Sequence, residues 1–383
     1  MEISHDGGDN RRVVLPETPS DETEPGSEQP APATTSRRGW AFRMVAATLL
    51  PLLALGLLEG ALRLGGYDHP PGGTFLRFLN PDLLRSAEQG DRGPTIPDPD
   101  LFWRLRPGWK YGDGMYAINQ RGFRGDEFSE KKLPGSRRVV CLGDSTAHGL
   151  RTPAPKSWIG RTQHALRNRL GTDGIEVLNL AVPGYTSFQG LRLFELEARR
   201  YEPDVVVAAF GAFNDWVPAV GRPDAEQHNR PAWHRIRIAQ WLLALTASTP
   251  QDDGPQTVQE AELLVKKLDT SKLVGDRRVP LEAFERNLRA LAHAVHASGA
   301  RFVIVIQPLP QDTRTRNPAA ADYAARARQV AADVADGLAD GWTSFAKLPE
   351  TDQLFIDFCH LNADGHGALA PAVIEALVPL LEE

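Results

Sequence analysis

The amino-acid sequence predicts an α/β fold in which helices cover both faces of a parallel sheet. From residue 137 onward, short apolar runs alternate with longer segments of helical periodicity, which is the pattern of successive β-α units. Residues 205–207 are three consecutive valines, and such a run is typical of a strand buried on both faces. In sheets of this kind, functional groups gather at the carboxyl ends of the strands.

Each predicted strand is a short apolar run, and each predicted helix carries apolar residues three and four positions apart. The clearest helix is 281–297, because Phe284, Leu288, Leu291 and Val295 share one face at that spacing. In chain order, the predicted strands are 138–142, 176–180, 204–210 and 301–306, with a short last strand at 342–345. The predicted helices are 157–170, 187–200, 281–297, the alanine-rich segment 318–338, and 363–381.

The N-terminal part of the chain differs in composition from the rest. Residues 1–39 are rich in Asp, Glu, Pro, Ser and Thr and poor in large apolar side chains, so we predict a disordered tail. Residues 44–58 follow as an apolar core of fifteen residues, which the flanks at 40–42 and 60–64 extend. About 20 apolar residues span a bilayer. We therefore predict a transmembrane signal anchor at residues 40–64.

Charged residues predict how this anchor is oriented. Arg37, Arg38 and Arg43 lie on its N-terminal side, which favours a cytoplasmic N-terminus and export of the bulk of the chain to the periplasm or the cell exterior. Glu59 and Arg63 stand four residues apart and are expected to pair near the far interface. A buried soluble helix and a cleaved signal peptide are the alternatives, although no clear small-x-small cleavage motif follows.

The remaining chain divides into a lead-in and a main domain. Residues 65–136 are rich in Pro and Gly and are expected to be irregular or a small β-rich segment. Residues 137–383 form the main domain, and residues 216–280 interrupt it as a long insertion. The insertion's segment 233–245 is both apolar and basic. A lid, a membrane-surface helix and a helix packed on the domain all fit that composition.

Composition also bounds the partners of the chain. The formal net charge of −6 gives no reason to expect a nucleic-acid partner. Cys141 and Cys359 are the two cysteines, too few for a disulfide framework, and are predicted to be buried free thiols. The sequence contains no Gly-rich phosphate loop and no dinucleotide fingerprint, so no cofactor is predicted.

Two distant segments carry the groups of a nucleophilic site. Ser145 ends an apolar run in a Gly-Asp-Ser turn, and Asp357 lies three residues before His360 near the C-terminus. A hydroxyl, a base and an acid that orients the base are what nucleophilic acyl transfer needs. The turn is not the Gly-x-Ser-x-Gly elbow of α/β-hydrolases, because Ala147 occupies the second glycine position.

Two further strand ends offer hydrogen-bond donors. Gly184 ends Asn-Leu-Ala-Val-Pro-Gly, and Asn214 lies in Gly-Ala-Phe-Asn-Asp. Together with the backbone N–H of Ser145, the N–H of Gly184 and the amide of Asn214 are predicted to form an oxyanion hole. The alternative for Asn214 and Asp215 is an ordinary turn or helix cap.

These four blocks, in this order, resemble the SGNH (GDSL-type) hydrolase family over residues 137–381. The segment 119–124, Asn-Gln-Arg-Gly-Phe-Arg, also resembles a membrane-anchored bacterial subgroup with a Pro-rich lead-in. The resemblance implies a three-layer α/β/α fold with a five-stranded parallel sheet. It further implies that Ser145 is the nucleophile, His360 the general base and Asp357 its orienting partner, with Gly184 and Asn214 in the oxyanion hole.

The expected function is a membrane-anchored, serine-dependent ester hydrolase that acts through an acyl-enzyme on a small-molecule, lipid or polysaccharide ester. An O-acyltransferase that modifies cell-envelope polysaccharide and a non-catalytic polysaccharide-binding module are the alternatives. Asp357, His360, Asp364 and His366 also allow a metal-ligand cluster to be considered. No second cluster with recognised spacing occurs in the sequence, and no metal is predicted.

Overall fold

The computed structural model describes residues 37–65, 93–112, 115–219, 222–229, 236–246 and 269–382. The chain forms two compact units, Met1–Leu57 and Leu58–Glu383. Most of the predicted disordered tail therefore lies outside the described residues. Its last three residues, 37–39, already belong to the first helix.

Helix α1 is Arg37–Leu64. Within Gly39–Leu64, the most apolar 18-residue stretch has a mean hydropathy of 2.0, and none of that stretch is buried. By length and composition this helix can cross a membrane, although a signal sequence meets the same criteria. The predicted pairing of Glu59 with Arg63 is confirmed, since Arg63 Nε lies 2.8 Å from Glu59 Oε1.

The described part of the lead-in forms two small antiparallel pairs. Strand β1 (Thr95–Asp98) pairs with β2 (Phe102–Leu105), and β3 (Lys110–Tyr111) pairs with β4 (Tyr116–Ala117). Their aromatic and aliphatic side chains join the hydrophobic core on one face of the main sheet. The described part of the lead-in therefore shares a hydrophobic core with the main domain.

The main sheet has five strands, all parallel: β5 (Arg137–Gly143), β6 (Ile175–Asn179), β7 (Val205–Ala209), β8 (Arg301–Ile306) and β9 (Gly337–Asp340). Their order across the sheet is β6-β5-β7-β8-β9. All five residues of β7 are buried, as its valine run predicts. The chain adds β6 on one side of β5 and then crosses to add β7 on the other side. Such a switch point is where α/β sheets bind ligands.

Helices cover both faces of the sheet, so the predicted three-layer fold is confirmed. After α1 they are α2 (Ser145–His148), α3 (Trp158–Leu170), α4 (Ser187–Leu196), α5 (Asp224–His228), α6 (Arg237–Thr246), α7 (Leu281–Ala297), α8 (Gln311–Arg316), α9 (Pro318–Val334), α10 (Gly341–Phe345) and α11 (Ala363–Glu382). Helices α3 and α11 supply one core, and α4, α7 and α9 supply the other. Phe284, Leu288, Leu291 and Val295 of α7 are buried as predicted.

The predicted ends of two elements and the identity of a third are wrong. The helix predicted at 318–338 ends at Val334, and the fifth strand is Gly337–Asp340. Residues 342–345, predicted as the last strand, belong to α10, because the Asp340 carboxylate accepts the Thr343 N–H at 2.9 Å and caps that helix. The helix predicted at 187–200 stops at Leu196, and a 3-10 turn, Ala198–Tyr201, follows.

The described residues of the insertion are anchored at both ends. The Val279 N–H donates to the Asp215 carbonyl at 3.0 Å, and Pro218 forms an isolated antiparallel β-bridge with Arg277. The segment predicted at 233–245 begins outside the described residues and continues as α6. Within the unit Leu58–Glu383, the Glu59 carboxylate accepts the N–H groups of Arg237 and Ile238, each at 3.0 Å, so it caps α6.

Candidate active site

The nucleophile turn is built by three consecutive residues at the end of β5. The Asp144 carboxylate accepts the Thr146 N–H at 2.9 Å and caps α2. Ser145 is the first residue of that helix and is half-buried. A side chain at Gly143 would place Cβ 2.5 Å from Ala147 Cβ and 2.9 Å from the Ala209 carbonyl oxygen. Only glycine therefore lets the chain turn this closely against the neighbouring strand.

The three predicted catalytic side chains form one hydrogen-bonded row. Ser145 Oγ lies 2.8 Å from His360 Nε2. On the other side of the ring, His360 Nδ1 lies 2.8 Å from Asp357 Oδ2 and 2.9 Å from Asp357 Oδ1. The fold thus brings together groups that are 215 residues apart in the chain. This geometry leaves Nε2 able to accept the serine proton.

Burial and charge act in opposite directions on this row. Burial by itself would lower the pKa of His360, but the Asp357 carboxylate raises it above the usual histidine value. Burial would raise the pKa of Asp357, but the charge of His360 and the N–H groups of Cys359 and His360 hold it below the usual range. Asp357 is therefore ionised at neutral pH and strengthens the base.

Two backbone N–H groups near Ser145 lack acceptors. After β6 the chain stays beside β5, because the N–H groups of Leu180 and Val182 donate to Cys141 and Gly143 at 2.9 and 3.1 Å. Gly184 follows in the left-handed region, with φ +84°. Among the residues that the structure describes, no acceptor faces the N–H of Ser145 or of Gly184. Buried donors are normally paired, so these two are available to a ligand.

Asn214 is held by a polar cluster that joins three strand ends. Its Nδ2 donates to Asp144 Oδ2 at 3.1 Å, and its side chain is buried. Gln307, which directly follows β8, donates to Asp144 Oδ1 at 3.2 Å and to the Ala209 carbonyl at 3.0 Å. Thr146 hydrogen-bonds to both Asp144 and Gln307. Sequence reasoning missed Gln307, although its position at a strand's carboxyl end was an available signal.

Asp215 has a different role from its neighbour. Its carboxylate accepts the N–H of Ser187 at 2.8 Å and that of Gly211 at 3.0 Å. These bonds tie the start of α4 to the end of β7, so the cap interpretation holds for Asp215. Burial raises the pKa of Asp215 to about 7, with a smaller contribution from the charge of Asp144.

Arg124, at the end of the 119–124 segment, was not singled out as a site residue. Its buried guanidinium donates to four carbonyl groups, of Met115, His148, Gly149 and Thr152, at 2.5 to 2.8 Å. Three of those carbonyls lie at or just after the end of α2, the helix that starts with Ser145. Burial lowers the pKa of Arg124 to about 10. Through Arg124, the lead-in therefore holds the C-terminal end of α2, the helix that begins with Ser145.

A metal site is the alternative considered for the residues around His360, but few of their ligand atoms are free. Asp357, Cys359 and His360 place ligand atoms within 4.8 Å of one another. Both ring nitrogens of His360 already bond to Ser145 and Asp357. Burial raises the pKa of the Cys359 thiol well above its usual value, and the thiolate is the form that binds metal. His366 is buried in α11, where Nδ1 accepts the Trp158 N–H at 3.3 Å. This donor set does not fit a metal centre.

Both cysteines are buried free thiols, as predicted. Cys141 lies in β5 and is fully buried. Cys359 lies between the two catalytic partners, with its Sγ 3.5 Å from His360 Nδ1. The thiol therefore packs against the ring of the base.

A serine, a histidine and an aspartate in hydrogen-bonded sequence, at the carboxyl edge of a parallel sheet, are the arrangement of nucleophilic acyl-transfer enzymes. The model of the GDSL-like lipase/acylhydrolase family matches residues 141–368, which is more than half of the chain. The protein therefore belongs to the GDSL-like lipase/acylhydrolase family, as its resemblance to the SGNH (GDSL-type) hydrolases implies. Its lead-in lies outside the matched residues.

Among solved structures, the chain is similar to several whose names describe esterases or lipases. A lipase/acylhydrolase from Enterococcus faecalis is 17% identical, covering 63% of this chain and 95% of its own, with a TM-score of 0.42. An esterase from Pseudoalteromonas sp. is 16% identical, covering 65% and 100%, with a TM-score of 0.39. An acetylxylan esterase from Geobacillus stearothermophilus is 14% identical, covering 64% and 96%, with a TM-score of 0.41. A search of curated proteins found no match.

Proposed function

We propose that this protein hydrolyses an ester through an acyl-enzyme on Ser145. The observation that carries the proposal is the continuous hydrogen-bonded row from Ser145 Oγ through the His360 ring to Asp357, with 2.8 Å at each step. The N–H groups of Ser145 and Gly184, which have no acceptor among the described residues, support the proposal as donors for the reacting carbonyl oxygen. Family membership supports the same class of chemistry.

The proposed reaction follows from these groups. His360 Nε2 takes the Ser145 proton while Oγ attacks the ester carbonyl carbon. The negative charge that develops on the carbonyl oxygen is stabilised by the N–H groups of Ser145 and Gly184 and by the second N–H of the Asn214 amide. His360 then protonates the leaving alcohol, and the acyl group stays on Ser145. Water, activated by the same ring, releases the acid.

Asp357 keeps the ring in the required state throughout. Its carboxylate accepts a hydrogen bond from Nδ1–H, so the neutral ring presents an unprotonated Nε2 to Ser145. When the ring becomes positively charged, the same carboxylate stabilises it. Asp144 instead accepts from the Asn214 amide, and Gln307 donates to Asp144.

We also infer that α1 anchors the chain in a membrane with the catalytic domain outside the cytoplasm. Helix α1 is long and apolar enough to span a bilayer, and Arg37, Arg38 and Arg43 lie on its N-terminal side. The ester would then be a small-molecule, lipid or polysaccharide ester of the cell envelope. Recovery of the full-length protein in the soluble fraction of lysed cells would contradict this inference.

The proposed reaction is tested with a short-chain chromogenic ester and the Ser145→Ala variant. We expect the variant to lose at least about 10³-fold in kcat while its thermal unfolding stays close to that of the wild type. Ser298→Ala is the matched control, because Ser298 caps the end of α7, where its hydroxyl donates to the Val295 carbonyl. A fluorophosphonate probe should label the wild type and Ser298→Ala, but not Ser145→Ala. Full turnover by Ser145→Ala would overturn the proposal.

A further inference from the structure

The two peptide groups that flank Gly184 are each held by a side chain from outside the catalytic row. Trp103 Nε1 donates to the Pro183 carbonyl at 3.2 Å. Arg278 Nη1 donates to the Gly184 carbonyl at 2.8 Å. Trp103 comes from β2 in the lead-in, and Arg278 lies near the C-terminal end of the insertion. Two segments that are remote in the chain therefore converge on one glycine.

The first of these bonds sets the direction of the Gly184 N–H. A trans peptide group is planar, so the N–H of Gly184 points opposite to the C=O of Pro183. Fixing that carbonyl with the Trp103 indole fixes the N–H as well. A hydrogen bond to the carbonyl also polarises the peptide group, which strengthens its N–H as a donor.

The second bond fixes the other side of the same residue. Gly184 has φ +84°, and glycine reaches many backbone conformations at little cost. With the planes before and after Gly184 both held, its two backbone dihedrals are both restrained. A preorganised donor requires this restraint, because a donor that must reorient during the reaction stabilises the transition state less.

Trp103 is itself held firmly. The Tyr185 hydroxyl donates to the Trp103 carbonyl at 2.6 Å, and the two rings meet edge to face at 5.6 Å. The preceding residue, Phe102, is buried and has φ +67°. A bulky residue with positive φ is strained, and such strain persists only where surrounding contacts maintain it. The backbone at the start of β2 thus takes an unusual conformation at Phe102, directly before Trp103.

Arg278 is equally constrained. Its guanidinium is within hydrogen-bond distance of both Asp224 oxygens, at 3.1 and 3.0 Å, and of Gln189 Oε1 at 3.1 Å. It also lies 5.9 Å from the centre of the Trp103 ring. Both members of the Arg278–Asp224 ion pair are buried. These partners keep the guanidinium against the Gly184 turn.

We propose that Trp103 and Arg278 are positioning residues of the oxyanion hole, acting through the two peptide groups around Gly184. The proposal rests on the proposed esterase function and assigns a catalytic purpose to the lead-in, which lies before the residues that define the family. Both residues bond to the peptide groups around Gly184, whose proposed contact with the oxygen strengthens in the transition state. Loosening the turn should therefore lower kcat and leave KM nearly unchanged.

The test is the Trp103→Phe variant, which keeps a ring in place and removes the indole N–H. We expect kcat to fall ~10- to 100-fold, less than the ~10²–10³-fold that follows from deleting an oxyanion donor. Trp158→Phe is the matched control, because the buried indole N–H of Trp158 has no hydrogen-bond partner in the described part of the chain. That variant should retain the wild-type kcat.

A boronic acid inhibitor separates positioning from a general structural effect. Its tetrahedral adduct on Ser145 mimics the transition state, so its affinity should fall in parallel with kcat in Trp103→Phe while KM stays constant. Should Trp103→Phe fail to fold, Tyr185→Phe, which removes the hydroxyl that holds the Trp103 carbonyl, should show the same pattern at smaller amplitude.

The outcomes distinguish this inference from the proposed function. If the wild type hydrolyses the ester and Ser145→Ala does not, the esterase proposal stands whatever Trp103→Phe does. A folded Trp103→Phe with unchanged kcat and unchanged inhibitor affinity would then overturn the positioning role alone. An equal loss of kcat in Trp103→Phe and Trp158→Phe would also overturn it, because the effect would not depend on the hydrogen bond.

Discussion

His360 combines two opposing environments in one side chain. The ring is 6% exposed, and burial alone would make it a weak base. Contact with the ionised Asp357 instead raises the pKa of His360 above its usual value. His148 and His366 are also buried, and no carboxylate of the described residues pairs with either; burial lowers the pKa of each to about 3. Among these three buried histidines, the one with a carboxylate partner is the one suited to take a proton near neutral pH.

This contrast predicts the pH dependence of catalysis. His360 must be neutral to accept the Ser145 proton, so kcat/KM should fall as the pH drops through a pKa above about 6.5. Asp357→Asn removes the charge that raises this pKa. We expect the acid limb to move to lower pH and kcat to fall by up to ~10⁴-fold.

The measurement is a pH–rate profile of the wild type and the variant. His296→Asn is the control, because His296 pairs with Asp336 at the end of α7 and does not contact the catalytic row. Its acid limb should match that of the wild type. An Asp357→Asn profile with an unchanged acid limb would contradict the assignment of His360 as the base.

At the scale of elements, the β5–α2 turn is the most demanding part of the fold. Gly143 passes so close to Ala147 and Ala209 that no side chain fits. Asp144 then caps α2 and also accepts a hydrogen bond from the Asn214 side-chain amide. One turn therefore sets the positions of the proposed nucleophile and of a proposed oxyanion donor together. A small change in this backbone should disturb both.

Gly143→Ala tests this coupling. An added Cβ would meet backbone and β-carbon atoms that cannot rotate away, so we expect a loss of about 1–3 kcal/mol in the free energy of unfolding and a marked drop in kcat. Gly367→Ala in α11 is the control, because its Cβ would lie 3.4 Å from Arg161 Cζ, a movable atom. There, alanine should stabilise the helix by about 0.5–1 kcal/mol.

Urea unfolding followed by circular dichroism gives both free energies, and ester turnover gives the rates. The two variants carry the same chemical change, so opposite signs would isolate the effect of the tight turn. Equal stability and equal turnover in Gly143→Ala and the wild type would show that α2 can shift without cost.

On the scale of the whole molecule, the catalytic domain does not begin where the family match begins. Arg124 binds the carbonyls at the end of α2, and Trp103 binds the turn that carries Gly184. Both residues precede residue 137, the start of the main sheet. The lead-in should therefore be required for a working site, although it contributes no group to the catalytic row.

Truncation tests this requirement. A fragment of residues 137–383 lacks Arg124, which leaves buried carbonyls of α2 unpaired at about 1–3 kcal/mol each, so we expect it to be unfolded or inactive. A fragment of residues 67–383 keeps the lead-in and should fold and hydrolyse the ester. Circular dichroism and turnover measured on both fragments provide the comparison. Equal activity of the two would show that the lead-in is dispensable.

Local patterns in the sequence were sufficient for most elements. Strand β8 and helix α7 begin and end at the predicted residues, because an unbroken apolar run and a clear helical periodicity leave little choice of structure. The last strand was misplaced because Gly337–Asp340 has few residues with strand propensity and follows an alanine-rich helix. Pairing with β8 decides its conformation, and that contact lies outside any local pattern.

The sequence alone determined the α/β class. It also determined which strands end in a motif with polar groups, and which types of side chain those motifs offer to catalysis. These features are local, since each motif is a few residues long and follows a strand. Only the tertiary structure could decide which groups support them. Trp103, Arg124, Arg278 and Gln307 each bond to a group of the site that lies 24 to 163 residues away in the chain. No spacing rule marks such partners, because hydrogen bonds across a fold depend on the packing of whole elements.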